Sequence, residues 1–135
     1  MSDLPGNAEE PAELERSRNR RGAPSATQVR EEISREMLKI HEKSFGKGTG
    51  EIHAFVEDGW VIVLLDDPHL LPNEHFLIEA GHQDTVVEVR HQYEHAIQAS
   101  FRAAIERATG RTVVGFTSTT RMDQPRFVAE IFKLE

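Results

Sequence analysis

The chain has 135 residues, a formal charge of −7 and no cysteine. This length suits one domain with a modest core, and the acidic balance argues against a broad nucleic-acid-binding surface. Without cysteine there is no disulfide, no thiolate nucleophile and no zinc site built on thiolates. No apolar run approaches the roughly 20 residues that cross a bilayer, and the N-terminus lacks the features of a secretory signal. We therefore expect a cytoplasmic protein without a membrane span.

The first 24 residues contain three prolines and two glycines but few large apolar side chains, which predicts a disordered polar tail. The tail is acidic at first and then carries four arginines between Arg16 and Arg21. This cluster can touch an anionic membrane surface or an acidic partner, but a solvated linker is the simpler interpretation. The ordered domain is expected to span residues 25–135.

The first half of this domain is expected to be a helix followed by a hairpin. Ser25 and Gln28 have the spacing of a capping box, and apolar residues then recur at helical spacing until Gly46 ends the helix. An alternating strand begins at Ile52, and Asp58-Gly59 is a strong hairpin turn signal. The segment from Trp60 to Leu65 is apolar at every position, which predicts a strand covered on both faces.

The second half repeats this plan after a short helix that begins near Pro72 and ends at Gly81. A long helix is expected from Gln83 to Ala108, with Gly110 as its C-terminal stop. Its predicted core stripe is Val86, Val89, Tyr93, Ile97, Phe101, Ala104 and Ala108. Strands at residues 112–116 and 127–134 then form a second hairpin.

The element order α-β-β-α-α-β-β predicts a two-layer α+β domain with a four-stranded, mainly antiparallel sheet and helices packed on one face. Each half is a helix, a glycine stop that carries a basic residue, and a hairpin. A sheet of four strands has edges to protect, and duplicated halves often pair across an interface. We therefore expect a homodimer.

One metal motif stands out. His91, Glu94 and His95 match H-x-x-E-H, in which two histidines one helical turn apart bind Zn²⁺ and the glutamate acts as a base. On a helical wheel both histidines fall opposite the apolar stripe, and no third ligand can be singled out. We therefore interpret them as solvated surface residues and expect neither a bound metal nor another cofactor.

Three basic residues are candidates for binding a partner or an anion. Lys47 and Arg111 each lie beside a glycine stop, and the internal repeat predicts that they come together as a small cationic spot. Arg90 lies within the apolar stripe, so its guanidinium must be paired, with Glu94 one turn later as a candidate, or must extend to solvent beyond the sheet. We favour the second arrangement for Arg90.

From Phe45 onward the chain resembles the MpsC-like family of small bacterial domains. The family is named for a component of a Na⁺-translocating, membrane-potential-generating system. The resemblance covers about residues 27–135 and rests on five motifs: Phe45-Gly46-Lys47-Gly48; Val61-Ile62-Val63-Leu64 with Leu71 and Glu74; Val89-Arg90; Thr109-Gly110-Arg111; and Ala129-Glu130-Ile131-Phe132-Lys133-Leu134-Glu135.

This resemblance implies a non-enzymatic accessory or regulatory domain that works by protein–protein contact. Its partner would be a membrane transporter linked to ion or bicarbonate uptake, on the inner face of the membrane. The surface expected to bind a partner or an anion contains Phe45, Lys47, Arg90 and Arg111. Two rival hypotheses remain open, namely a metal-dependent hydrolase built on His91, Glu94 and His95, and a small-ligand sensing module.

Overall fold

A computed structural model of the protein describes residues 23–48 and 50–135. Nearly all of the polar tail predicted for residues 1–24 lies outside the described residues, as does Thr49. The described part contains four helices and four strands in this order: α1 (Ala26–Phe45), β1 (Ile52–Glu57), β2 (Trp60–Asp66), α2 (Pro72–Glu79), α3 (Gln83–Ala96), α4 (Gln98–Thr109), β3 (Val113–Arg121) and β4 (Phe127–Leu134).

The strands form one sheet in the order β1-β2-β4-β3, and every neighbouring pair is antiparallel. The core lies between the helices and one side of this sheet, where helix residues such as Ile33 and Phe101 pack against Val61 and Phe132. This arrangement confirms the predicted α+β class. The two hairpins meet at β2 and β4, so they are related by an approximate two-fold axis through the centre of the sheet.

The local signals for chain reversal and helix initiation are confirmed. The Ser25 hydroxyl accepts a hydrogen bond from the Gln28 N–H, and the Gln28 side chain accepts one from the Ser25 N–H, which completes the capping box. At the β1–β2 turn, Asp58 and Gly59 have φ values of 45° and 90°. This left-handed backbone is the reason that an Asp-Gly pair occurs there.

The single long helix predicted from Gln83 to Ala108 is wrong, because the helix is broken at Ile97. The backbone of Ile97 has φ −102° and ψ 11°, and α4 begins immediately after it. The break lets α3 pack on α2 while α4 packs on α1. It also changes the buried stripe, since Val89 and Tyr93 are exposed.

The prediction that β2 is covered on both faces is also wrong. Val61, Val63 and Leu65 are buried under the helices, but the alternate residues point to the other side of the sheet. On that side Trp60 is 44% exposed. Among the residues described, no helix packs against this side, which we call the open face.

Candidate functional site

Arg90 is buried at the place where α1, α2 and α3 meet. Its side chain is 1% exposed and donates hydrogen bonds from Nε and Nη2 to the Glu74 carboxylate, each at 2.7 Å. Nη2 also donates to the main-chain oxygen of His69 at 2.6 Å, and the guanidinium carbon lies 4.1 Å from the centre of the Phe45 ring. Arg90 therefore does not extend to solvent, and its partner is Glu74 instead of Glu94.

The residues around Arg90 are held by local features of three chain segments. Glu74 lies in the first turn of α2 and also accepts a hydrogen bond from the Leu71 N–H at 2.8 Å. Burial alone would raise the pKa of Glu74, but Arg90 and the Leu71 N–H lower it below its usual range. Gly46 has φ +91° and lies so close to His69 that a Cβ there would approach its ring to 2.9 Å.

We call this set the Arg90 junction: Phe45, Gly46, His69, Leu71, Glu74 and Arg90. It joins the end of α1, the β2–α2 connection, the start of α2 and the middle of α3. A guanidinium that is buried and bidentately paired does not offer its charge to an external anion. The geometry makes the junction a structural connection between elements, with the cation neutralised internally.

The structure does not bring Lys47 and Arg111 together. Lys47 lies between two glycines that pack against His69, beyond the end of β2. The Arg111 guanidinium donates hydrogen bonds to the main-chain oxygen of Glu135 and lies near Gly59, at the opposite end of β2. Strands rise about 3.3 Å per residue, so the two cations are on the order of 20 Å apart. The two cations are far apart because the two hairpins are related by a two-fold axis, which places their glycine stops at opposite ends of the sheet.

A second group of charged residues lies between α1, α3 and β4. His41 and Glu130 are buried with Nε2 and Oε2 2.7 Å apart, and Glu94 is fully buried beside them. Both Glu94 oxygens and Glu130 Oε1 have no hydrogen-bond partner among the described residues. We call these three residues the buried acid cluster. Its polar groups are only partly matched, in contrast to those of Glu74 and Arg90.

Burial changes the protonation of this cluster. Burial, reinforced by the charge of Glu130, raises the pKa of Glu94 to about 7, although Ser118 and two nearby cationic groups act in the opposite direction. The Ser118 hydroxyl is near enough to lower the pKa of Glu94, but it does not have the geometry of a hydrogen bond to the Glu94 carboxylate. Burial alone would lower the pKa of His41, but the charges of Glu130 and Glu94 and the hydrogen bond to Glu130 raise it. The cluster therefore holds protons near neutral pH.

The H-x-x-E-H motif does not form a zinc site of the expected kind. His91 and His95 are exposed on α3, whereas Glu94 points into the core. The Nδ1 atom of His95 instead lies 3.0 Å from the side-chain nitrogen of Gln98. The catalytic glutamate of such a site must reach a water on the metal, and here it lies on the other side of the helix.

One group of potential metal ligands was found in the described part of the chain. Glu51, His53 and Asp66 lie at the end of the β1–β2 ladder, and all three are exposed. His53 Nε2 is 3.2 Å from a Glu51 oxygen and 3.9 Å from an Asp66 oxygen. These are contacts between exposed polar side chains, and such contacts contribute little to stability.

The open face presents apolar side chains from the centre of the sheet. Phe55 is 50% exposed and Trp60 44% exposed, and the half-buried residues Ile62, Leu64 and Ile131 lie between the strands' charged ends. Scattered apolar residues are normal on a protein surface, but a contiguous patch marks a contact surface. The sequence contained the signal for this patch, since every residue from Trp60 to Leu65 is apolar.

A model of one protein family matches residues 25–135, and its description is Na⁺-translocating membrane potential-generating system (MpsC). The chain belongs to the MpsC family. No curated protein and no solved structure matches it. In the part of this MpsC chain that the structure describes, no helix is both long enough and apolar enough to span a membrane.

The structure explains how several motifs of the MpsC resemblance are related. Three motifs that are distant in sequence meet in the Arg90 junction, since they supply Phe45, Glu74 and Arg90. The C-terminal motif supplies Glu130 to the buried acid cluster and Ile131 to the open face. The sequence places Arg90 in the core stripe but does not reveal Glu74 as its partner, because their contact joins residues 16 positions apart.

Proposed function

We propose that this MpsC chain is a non-enzymatic accessory component of the membrane-potential-generating system and acts on the cytoplasmic side of the membrane by protein contact. The observation that carries the proposal is the apolar open face. An antiparallel sheet that faces water on one side normally carries polar residues there, whereas the open face presents apolar residues of β2 and has no cover among the described residues. Membership of the MpsC family supplies the membrane-potential context.

The candidate cations support this proposal less directly. Arg90 is paired within the protein, so it contributes by fixing the shape of the domain. Lys47 and Arg111 remain exposed at opposite ends, where each can contact a partner carboxylate separately. The proposed contact surface is therefore the open face, with charged residues at its margins.

The test is a complementation experiment in cells that lack the chromosomal copy of this protein. The membrane potential is measured with a voltage-sensitive dye after expression of the wild type, Ile62→Lys or Phe76→Lys. Ile62 lies at the centre of the open face, whereas Phe76 lies on α2 and is 71% exposed. We expect the wild type and Phe76→Lys to restore the potential and Ile62→Lys to fail, although both variants are folded by circular dichroism.

Full restoration by Ile62→Lys would contradict a role for the open face. Loss of function in both folded variants would show that the defect does not depend on which surface carries the lysine. The bicarbonate link implied by the family resemblance is part of this proposal, and repeating the assay with and without added bicarbonate tests it. If the membrane potential depends on the protein equally with and without bicarbonate, the proposed link to bicarbonate is wrong.

A further inference from the structure

The charges at the margins of the open face are arranged unevenly. Outward-facing residues from the four strands form rows across the sheet, and the row at one end consists of Glu51, Asp66, Phe127 and Arg121. The acidic residues of this row lie on the β1 side and the arginine lies on the β3 side. All three charged residues are exposed. A surface with opposite charges at its two margins can be complementary to a copy of itself.

We propose that the occupant of the open face is a second copy of this chain, with the two sheets packed face to face about a two-fold axis parallel to the strands. This proposal rests on the proposed function, because it names the partner of the same surface. The rotation places β1 over the partner's β3 and keeps each row at the same height. Glu51 then faces Arg121 of the partner subunit, twice in each dimer.

The charges distinguish this arrangement from the other two-fold packing of the same faces. An axis perpendicular to the strands would place β1 over the partner's β1 with the rows reversed. Glu51 would then face Glu57 of the partner subunit, because Glu51 immediately precedes β1 and Glu57 ends it. Like charges placed opposite each other destabilise an interface. Both axes allow the aligned packing of two sheets, so the charge pattern decides between them.

The centre of the face supports the same pairing. Ile62 and Ile131 are neighbours in one row on the two middle strands. The proposed axis lies between these strands, so it places Ile62 over the partner's Ile131 and forms an apolar centre. Trp60 and Lys133 are also neighbours, with the ammonium 4.6 Å from the centre of the indole ring. An apolar centre with charged margins is the usual composition of a protein–protein interface.

The size of the face predicts a reversible dimer. Four strands spaced about 4.8 Å apart and seven residues long give a flat footprint of roughly 450 Å² on each copy. Two such footprints bury about 900 Å², which is below the range of stable specific interfaces and within that of weak, transient ones. We therefore expect a dissociation constant in the micromolar range and an equilibrium that depends on protein concentration.

The experiment is sedimentation velocity of the full-length protein over about 1 to 100 µM, a range that brackets the expected dissociation constant. Four proteins are compared, namely the wild type, Glu51→Arg, Arg121→Glu and the double variant. Each single reversal replaces two attractive pairs with two repulsive ones, so the dissociation constant should rise about tenfold. The double variant should recover to within about threefold of the wild type, because the pairs are re-formed with the charges exchanged.

Two outcomes would overturn the proposal. A dimer that is indifferent to all three charge variants would mean that the copies meet through another surface or axis. A wild type that stays monomeric at about 100 µM would assign the open face to a different protein or to residues 1–22 of the same chain. The complementation assay would still report whether the face is needed for the membrane potential, so failure of the dimer and failure of the proposed function are distinguishable.

Discussion

The helix-covered side of the sheet buries charged residues, whereas the open side exposes apolar ones. Beneath the helices, His41, Glu94 and Glu130 lie in the same layer as the apolar core. On the open side, Phe55 and Trp60 contact solvent. Charged groups are rarely buried unless they are paired, and large apolar patches are rarely left exposed. The difference supports the proposal that another protein surface covers the open side.

On the covered side, buried charge is neutralised in two different ways. At the Arg90 junction, Glu74 balances the guanidinium through two hydrogen bonds. In the buried acid cluster, the carboxylate oxygens of Glu94 lack hydrogen-bond partners among the residues described, and a bound proton reduces the charge instead. The first arrangement should resist changes of pH, while the second should respond to them.

The largest effect is expected from breaking the Arg90 junction. Arg90→Met keeps much of the side-chain volume but leaves the Glu74 carboxylate without its partner. We expect the free energy of unfolding to fall by about 3–5 kcal/mol, because an unpaired charge remains in a mostly buried place. Urea denaturation monitored by circular dichroism measures this loss. Arg35→Met is the matched control, since Arg35 is exposed on α1. If Arg90→Met lowers the free energy of unfolding by less than about 1 kcal/mol, the Arg90 junction does not stabilise the domain as argued.

The pH response of the buried acid cluster should be the next largest effect. The pKa of Glu94 is raised to about 7 from an ordinary value of 4.5. A raised carboxyl pKa means that the folded protein keeps a proton that the unfolded chain loses, so stability falls as pH rises from 4.5 to 7. The full cost, present above pH 7, is about 3 kcal/mol. His41 acts in the same direction, because its raised pKa contributes stability that is lost at higher pH.

Glu94→Gln should therefore stabilise the protein by about 3 kcal/mol more at pH 8 than at pH 4, relative to the wild type. Comparing two pH values cancels any constant difference in packing between the two side chains. Glu88→Gln, on the exposed side of α3, is the control and should show no such difference. Denaturant midpoints measured at both pH values test this. An equal effect of Glu94→Gln at both pH values would show that folding does not raise the pKa of Glu94.

A pair of neighbours on β2 compares the two sides directly. Val63 is buried beneath the helices, and Ile62 lies on the open face. Under dilute conditions, Val63→Ala should cost about 2 kcal/mol of unfolding free energy, because it removes two methyl groups and leaves a cavity. Ile62→Ala removes a larger group but should cost less than about 1 kcal/mol. Equal costs would mean that the open face is already covered within a single chain.

The smallest effect concerns Lys47 and Arg111. Each substitution to alanine should change the unfolding free energy by less than about 1 kcal/mol, because both residues are exposed. Since the residues lie at opposite ends of the sheet, their effects should add to within about 0.5 kcal/mol. A double-mutant cycle in urea gives the coupling energy. Coupling above about 1 kcal/mol would show that the two cations act together after all.

Local signals made much of the fold predictable from the sequence. Ser25 and Gln28 start α1, and Asp58-Gly59 forms the turn, because each depends only on residues a few positions apart. The break at Ile97 was not predictable, since the apolar stripe continues past it and no proline or glycine marks it. The cause is tertiary, because α3 and α4 pack on different helices.

The candidate site was predictable only in part, for the same reason. Arg90 was found in a core position, but the helical spacing rule offered Glu94 as its partner, whereas the fold supplies Glu74. The contact between His41 and Glu130 joins residues 89 positions apart, which no local pattern can reveal. For the open face, the apolar run from Trp60 to Leu65 is a correct signal of an apolar surface, but by itself it predicts cover from within the chain.

The most direct test of the open face as a contact surface uses Trp60, the only tryptophan in the chain. Iodide quenching of its fluorescence is measured in the full-length protein from about 1 to 100 µM, the range expected for an interface of this size. We predict that quenching is strong at low concentration and falls several-fold as the open face becomes covered. Quenching that stays equally strong over the whole range, with or without membranes from the same cells, would contradict the account.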